Sequence, residues 1–209
     1  MSINESRTKL QAWLKEAAVW KQLNPEMDDE SVPWLEGSVD FSTQPVPESG
    51  QIRLWTSASP ADGPFYGLLV APAYGSWGVL PVSPFSSPAT PEELQVMAEP
   101  PVQVVQGWNL RRIPAARAKA SWCAGRLPEA EGFLVDLFLA WCGSGDPVPP
   151  ALAGRVGPPL VHPLDPRHAY CDDECLRAGH SLGRDSVPGV EEGFPLARAA
   201  EPDPEYDSE

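Results

Sequence analysis

Proline and glycine punctuate this chain so densely that it can fold only through short elements joined by turns. The 209 residues include 26 Pro and 17 Gly, whereas average usage puts Pro near ~5%. Much of the chain is therefore expected in turns and extended connections. Apolar residues make up 42%, with 8 Trp among them, enough to fill one core. By length this is one domain with extensions, or two small ones. No apolar run approaches the ~20 residues a membrane helix requires, and Met1–Leu10 lacks the basic-then-apolar order of a signal peptide. The expectation is a soluble cytoplasmic protein with no membrane partner.

Charge is unevenly spread. The formal net charge is −14. Residues 1–49 carry 4 cations against 9 acids, residues 50–142 carry 6 against 7, and residues 143–209 carry 5 against 13. The arms hold −5 and −8, and the middle is nearly neutral. Arg111, Arg112, Arg117, Lys119 and Arg126 fall between Leu110 and Pro128 with no acid among them. A local positive face on an acidic protein is compatible with that distribution.

Along the chain, Ser2-Ile-Asn-Glu5 forms a capping box. Leu10, Trp13, Leu14, Ala17, Trp20 and Leu23 then follow at helical spacing, predicting an amino-terminal helix over 1–24. Residues 25–49 read as an acidic, Pro-rich linker. Gln51–Trp55 alternates as a half-buried strand does. Phe65–Ala71 is a continuous apolar run of strand length, and Trp77–Val82 is a third strand that Pro81 confines to an edge or bend. Pro84–Pro91 is extended and cannot be helix, and Val102–Gln106 is a fourth short strand. Pro128 then opens a helix with Ala130, Phe133, Leu134, Leu137, Phe138 and Trp141 on one face and Gly143 as its stop. Residues 143–185 form a Pro/Gly-rich extension containing Cys and His. Residues 186–209 form an acidic tail with the composition of a disordered segment.

The order of elements from Gly50 to Cys142 resembles the PemK/MazF-like toxins. Gly50-Gln-Ile-Arg-Leu-Trp55 is similar to their opening strand, and Gly67–Ala71 to their second. Val79-Leu-Pro-Val-Ser83 is similar to their third. Val104–Ile113 followed by Gly125-Arg-Leu127 resembles their late Gln-containing turn, strand and closing helix. The resemblance implies an α+β protein: a small SH3-like antiparallel β-barrel over 50–142 with a closing amphipathic helix. To this the chain adds the amino-terminal helix and an irregular, Pro-rich acidic extension. It also implies chemistry on single-stranded RNA, where a cation stabilises charge at phosphorus beside a hydroxyl. The family's Arg before the second strand falls here at Phe65 or Tyr66, neither of which can serve. The hydroxyl position falls at Ser83. A nuclease reading would have to use Ser83 with Arg53 or Arg111, so a non-catalytic barrel is the expectation.

Binding remains open to such a barrel. Trp108 beside Arg111 and Arg112, with Arg117 nearby, combines an aromatic platform with cations as single-stranded nucleic-acid sites do. The alternative is that Trp108 plugs one end of the barrel. Phe85 and the Pro84–Pro91 loop are candidates for protein docking, because rigid side chains lose little entropy on binding.

Cys123 and Cys142 flank the closing helix and read as core residues. His168, Cys171, Cys175 and His180 contain the ligand types of a structural zinc site. The competing reading is a short helix around Asp172–Ala178 with Cys171 and Cys175 on one face. No other cofactor is implied.

Together these observations describe an accessory or regulatory protein of a bacterial toxin–antitoxin-like or phage-defence system that acts by contact with a protein partner. The alternatives are a divergent RNA endonuclease, with RNA meeting the 108–126 basic region, and an acidic mimic of nucleic acid carried by the charged arms.

Overall fold

The computed structural model describes residues 44–56, 64–73, 76–98, 102–183 and 187–188. The expected amino-terminal helix, most of the linker and most of the acidic tail lie outside these residues. The fold is α+β. Eight strands follow in chain order: β1 Gln51–Thr56, β2 Pro64–Ala73, β3 Ser76–Pro81, β4 Glu93–Gln95, β5 Val104–Gln106, β6 Arg111–Pro114, β7 Trp122–Arg126 and β8 Val187–Pro188. Among the described residues three α-helices accompany them: α1 Ala115–Lys119, α2 Glu129–Trp141 and α3 Arg167–Leu182. No helix among the described residues is long and apolar enough to cross a membrane.

The main sheet is antiparallel and ordered β7-β1-β2-β3-β6-β8. Its ladder is open between β7 and β8 among the described residues. β4 and β5 form a second, two-stranded sheet. It is joined to the first where Val82, just past β3, bridges Val105. Residues after α2 extend it, because Leu94 bridges Val156 and Gln95 N–H donates to Arg155 O at 2.8 Å.

Both faces of the main sheet are covered, which accounts for the unbroken apolar run in β2. Leu68, Val70, Leu80 and Ile52 face one cluster with Val135 and Phe138 of α2 and with Leu94 and Val105 of the small sheet. Trp55, Phe65, Leu69, Val79 and Ile113 face the other, against Ala118 of α1 and Ala178 and Leu182 of α3. Gly67 is required by this packing: a Cβ there would meet Val79 Cγ1 at 2.5 Å.

The closing helix α2 forms where the sequence predicts it, but it is rotated. Glu131, Val135 and Phe138 point inward, continued by buried Cys142, whereas Phe133 is 69% exposed. The reason is polar. Burial pushes the Glu131 carboxyl up, but Arg155, whose Nη1 donates at 2.7 Å, and the Met97 N–H outweigh it and hold the carboxyl below its usual range. That buried ion pair fixes which face turns inward.

Two expectations for the carboxy-terminal part need correction. The extension over 143–185 is not irregular throughout, since it ends in the 16-residue α3. The chain past 186 is not wholly without structure either, since Val187–Pro188 pairs with β6.

Candidate functional site

The structure concentrates its buried polar side chains where α3 lies against the end of β3, the β4–β5 sheet and the Gly107–Asn109 3-10 turn. Arg167, Tyr170, Glu174, Ala178, Ser181 and Leu182 form the inward stripe of α3, at the three- and four-residue spacings of one helix face. Tyr170 and Glu174 of this stripe meet Ser83, Glu93 and Gln106, which are 1%, 0% and 0% exposed.

Tyr170 is the centre of this cluster. Its hydroxyl donates to Glu93 Oε1 at 2.7 Å and lies 2.8 Å from Ser83 Oγ. Gln106 Nε2 donates to the same hydroxyl at 3.0 Å and to Glu174 Oε2 at 2.8 Å. Ser83 Oγ in turn accepts the Phe85 N–H at 3.2 Å. Glu93 also accepts the Ala89 N–H and, at 3.2 Å, Trp108 Nε1–H. On the opposite side Arg177 pairs with Glu174 at 2.7 Å, donates to Val82 O and stacks over Phe65.

Two carboxylates are thus buried close together, and among the described residues only Glu174 has a cation. Burial pushes the Glu93 carboxyl up to about 7, opposed by its Tyr170, Ala89 and Trp108 donors and assisted by the negative charge of Glu174. Burial raises the Tyr170 hydroxyl as well, and Glu93 and Glu174 add to the effect.

Arg167 anchors the start of α3. Its guanidinium donates to Ala89 O at 2.6 Å, Pro158 O at 2.9 Å, Pro159 O at 2.9 Å and both carboxylate oxygens of Asp165. That satisfies every donor of a side chain only 1% exposed. A charge this deep is stable only when fully paired and hydrogen-bonded.

The sequence-derived candidates are distributed as follows. Ser83 is inside the cluster, beneath Tyr170. Arg53 is 0% exposed and makes no hydrogen bond to the cluster among the described residues. Its guanidinium is taken by Gln51 Oε1, Ser121 O and Pro45 O, so it braces β1 against β7. Arg111 donates to Asn109 Oδ1 and to Cys175 O at 3.2 Å, and Arg117 donates to Ser181 O at 2.8 Å. Both hold α3. Arg112 is exposed and Trp108 is half-buried. Phe85, expected as an exposed anchor, is 6% exposed, packed on Tyr170 with ring centroids 5.3 Å apart. Half of the Pro84–Pro91 loop (Phe85, Pro88, Ala89 and Thr90) is accordingly buried: α3 occupies the place that the sequence leaves to a partner.

His168, Cys171, Cys175 and His180 all lie on α3. Twelve residues of helix separate the two histidines by roughly 18 Å along the axis, so the four cannot share one ion. Among the described residues no group of three His, Cys, Asp or Glu is placed to hold a metal. Cys171 and Cys175 are half-buried against the sheet layer, as in the helix reading. Burial and the neighbouring Glu93 push the Cys171 thiol up, and burial and Glu92 push Cys142 up to about 12. Neither is an activated nucleophile.

Sequence reasoning missed Glu93, Gln106, Arg167, Tyr170, Glu174 and Arg177. The available signal was the 3–4 spacing of Arg167, Tyr170, Glu174 and Ala178, a polar stripe that a search for apolar periodicity passes over.

No protein-family model matches the chain, and no curated protein does. Solved structures resembling it include the MazE-MazF complex (Form-II) from Deinococcus radiodurans, at 21% identity and a TM-score of 0.37, over 46% of this chain and 94% of that one. MazF (Form-I) from the same organism is similar at 21% identity and a TM-score of 0.36, over 46% and 96%.

Proposed function

We propose that this protein is a non-catalytic accessory or regulatory component of a bacterial toxin–antitoxin-like or defence system, working through contact with a protein partner. The motif resemblance of residues 50–142 to the PemK/MazF-like toxins supplies the class of system and the barrel on which the binding surface is built. The observation that carries the non-catalytic reading is the state of the would-be catalytic groups. Ser83 is sealed under Tyr170, and Arg53 is consumed by three acceptors within the fold. A phosphate cannot approach either without the structure opening. Arg111 spends hydrogen bonds on Asn109 and the backbone of α3.

The candidate contact residues that keep accessible surface are half-buried Trp108, on the Gly107–Asn109 turn, and exposed Arg112, on β6. Indole and guanidinium groups are the side chains most often found to dominate protein interfaces. The test is capture of tagged full-length protein from its native host. Co-purifying proteins are identified by mass spectrometry, and the 260/280 nm absorbance ratio is recorded. The expected result is one stoichiometric protein partner, lost on Arg112→Glu while the circular dichroism spectrum is unchanged. Co-purifying RNA without a protein partner would contradict this reading.

A further inference from the structure

We propose that α3 is a proton-controlled strap: protonation of Glu93 holds it on the sheet layer, and ionisation of Glu93 loosens it and uncovers Ser83, Phe85, Gln106 and the inner edge of Trp108. The functional significance of that surface rests on the protein-binding reading above; the strap itself does not.

The geometry carries the argument. Glu93 is wholly buried, and the three groups that donate to it are neutral: a hydroxyl, an indole N–H and a backbone N–H. The ionisable groups around it are Tyr170, Cys171 and Glu174 of α3 and Glu92 next to it in sequence. None of these supplies positive charge. Arg177 is taken by Glu174 and Arg167 by Asp165. Among the described residues a carboxylate formed here has no cation to meet it, and it faces a second carboxylate, Glu174, through Gln106 and Tyr170. A protonated Glu93 fits the same site. Its hydroxyl can donate to Tyr170, whose own proton then turns to Ser83 Oγ, leaving the chain of bonds intact.

Release of α3 places Glu93 in water, where ionisation is unopposed. The docked state therefore loses ground as pH rises from the ordinary carboxyl value of 4.5 to about 7 and levels off above that. Beyond the Arg167 anchor at its first turn, the remaining contacts of α3 are mostly polar: Arg177 to Val82 O, Arg111 to Cys175 O, Asn109 to Glu174 O and Arg117 to Ser181 O. Its apolar contacts are Ala178 and Leu182 in the second cluster and the Tyr170 ring, with Cys171, against Phe85 and Ala89. Segments with few buried apolar contacts open below the global unfolding free energy.

Amide hydrogen exchange of the full-length protein, corrected for intrinsic rates, tests this. Peptides from 167–182 are expected to exchange faster than those of β2 and β3. Their opening equilibrium is expected to rise on the order of 25-fold between about pH 5.5 and about pH 8. In Glu93→Gln that rise disappears. In Tyr170→Phe, which takes away the hydroxyl donor to the carboxylate, the rise starts at the same pH but extends to higher pH and grows larger, and this variant decides the matter if Glu93→Gln does not fold. Exchange of α3 that is independent of pH, or that coincides with β2 and β3 at both values, would overturn the proposal. Because exchange reads α3 whether or not a partner binds, its failure is distinguishable from failure of the partner capture.

Discussion

Arg167→Ala is expected to lower the unfolding free energy by about 4 kcal/mol, the range found when one member of a buried ion pair is removed. The substitution does more than delete a contact. Asp165, whose carboxyl Arg167 holds below the usual carboxylate range, is left largely buried without its cation. The carbonyls of Ala89, Pro158 and Pro159 lose their donor simultaneously. Those carbonyls belong to two separate stretches of chain, and the guanidinium is what ties the loop before α3 to the Pro84–Pro91 loop. The measurement is urea unfolding at pH 7 followed by Trp fluorescence. Arg167→Lys is expected to recover only part of the loss, because one ammonium group cannot serve carbonyls and a bidentate carboxylate together. A loss below about 1 kcal/mol, the level of an exposed pair, would show that the cluster does not bear on stability.

The second large effect is on the pH dependence of global stability. Glu93 ionises near 4.5 when unfolded and near 7 when folded. Its folding contribution is complete below 4.5, drains away as pH rises through 7, and is absent above. The difference across that window is about 3 kcal/mol. Glu92 is raised by burial and acts in the same direction. Glu131 and Asp165 act in the opposite direction, since both are held low by arginines. Their stabilisation is fully present above the ordinary carboxyl value and is lost only as pH falls below it. The stability maximum is therefore expected on the acid side of neutrality, near pH 5. Denaturant midpoints across the range should decline from there towards pH 8 in the wild type and decline much less in Glu93→Gln, where only the Glu92 contribution remains. A wild-type midpoint that rises between pH 5.5 and pH 8 would contradict the assignment.

Much of the sheet was legible because its signals are local. Alternation in Gln51–Trp55, the unbroken run Phe65–Ala71 and the segment Trp77–Val82 each correspond to a strand, and the helix after Pro128 is where its apolar spacing places it. The site was not legible, for two physical reasons. The first is that hydropathy patterns register apolar burial, whereas α3 is seated through Arg167, Tyr170, Glu174 and Ser181, residues that ordinarily mark a solvated face. The second is that residue type does not reveal accessibility. Ser83, Arg53 and Phe85 were recognisable as chemistry, but only the packing of α3 and the closure around Gln51 and Ser121 show them to be interior. The rotation of α2 has the same origin. Phe133 carries the stronger apolar signal, and the ion pair of Glu131 with Arg155, more than twenty residues away in sequence, decides which side is buried.

The most direct test of the central claim is cleavage of a mixed-sequence single-stranded RNA by purified full-length protein, measured near pH 6 and near pH 8 beside Ser83→Ala. With Ser83 sealed and Arg53 spent within the fold, the account expects no cleavage above the Ser83→Ala background at either pH. Cleavage by the wild type that Ser83→Ala abolishes would contradict it and establish the protein as a nuclease.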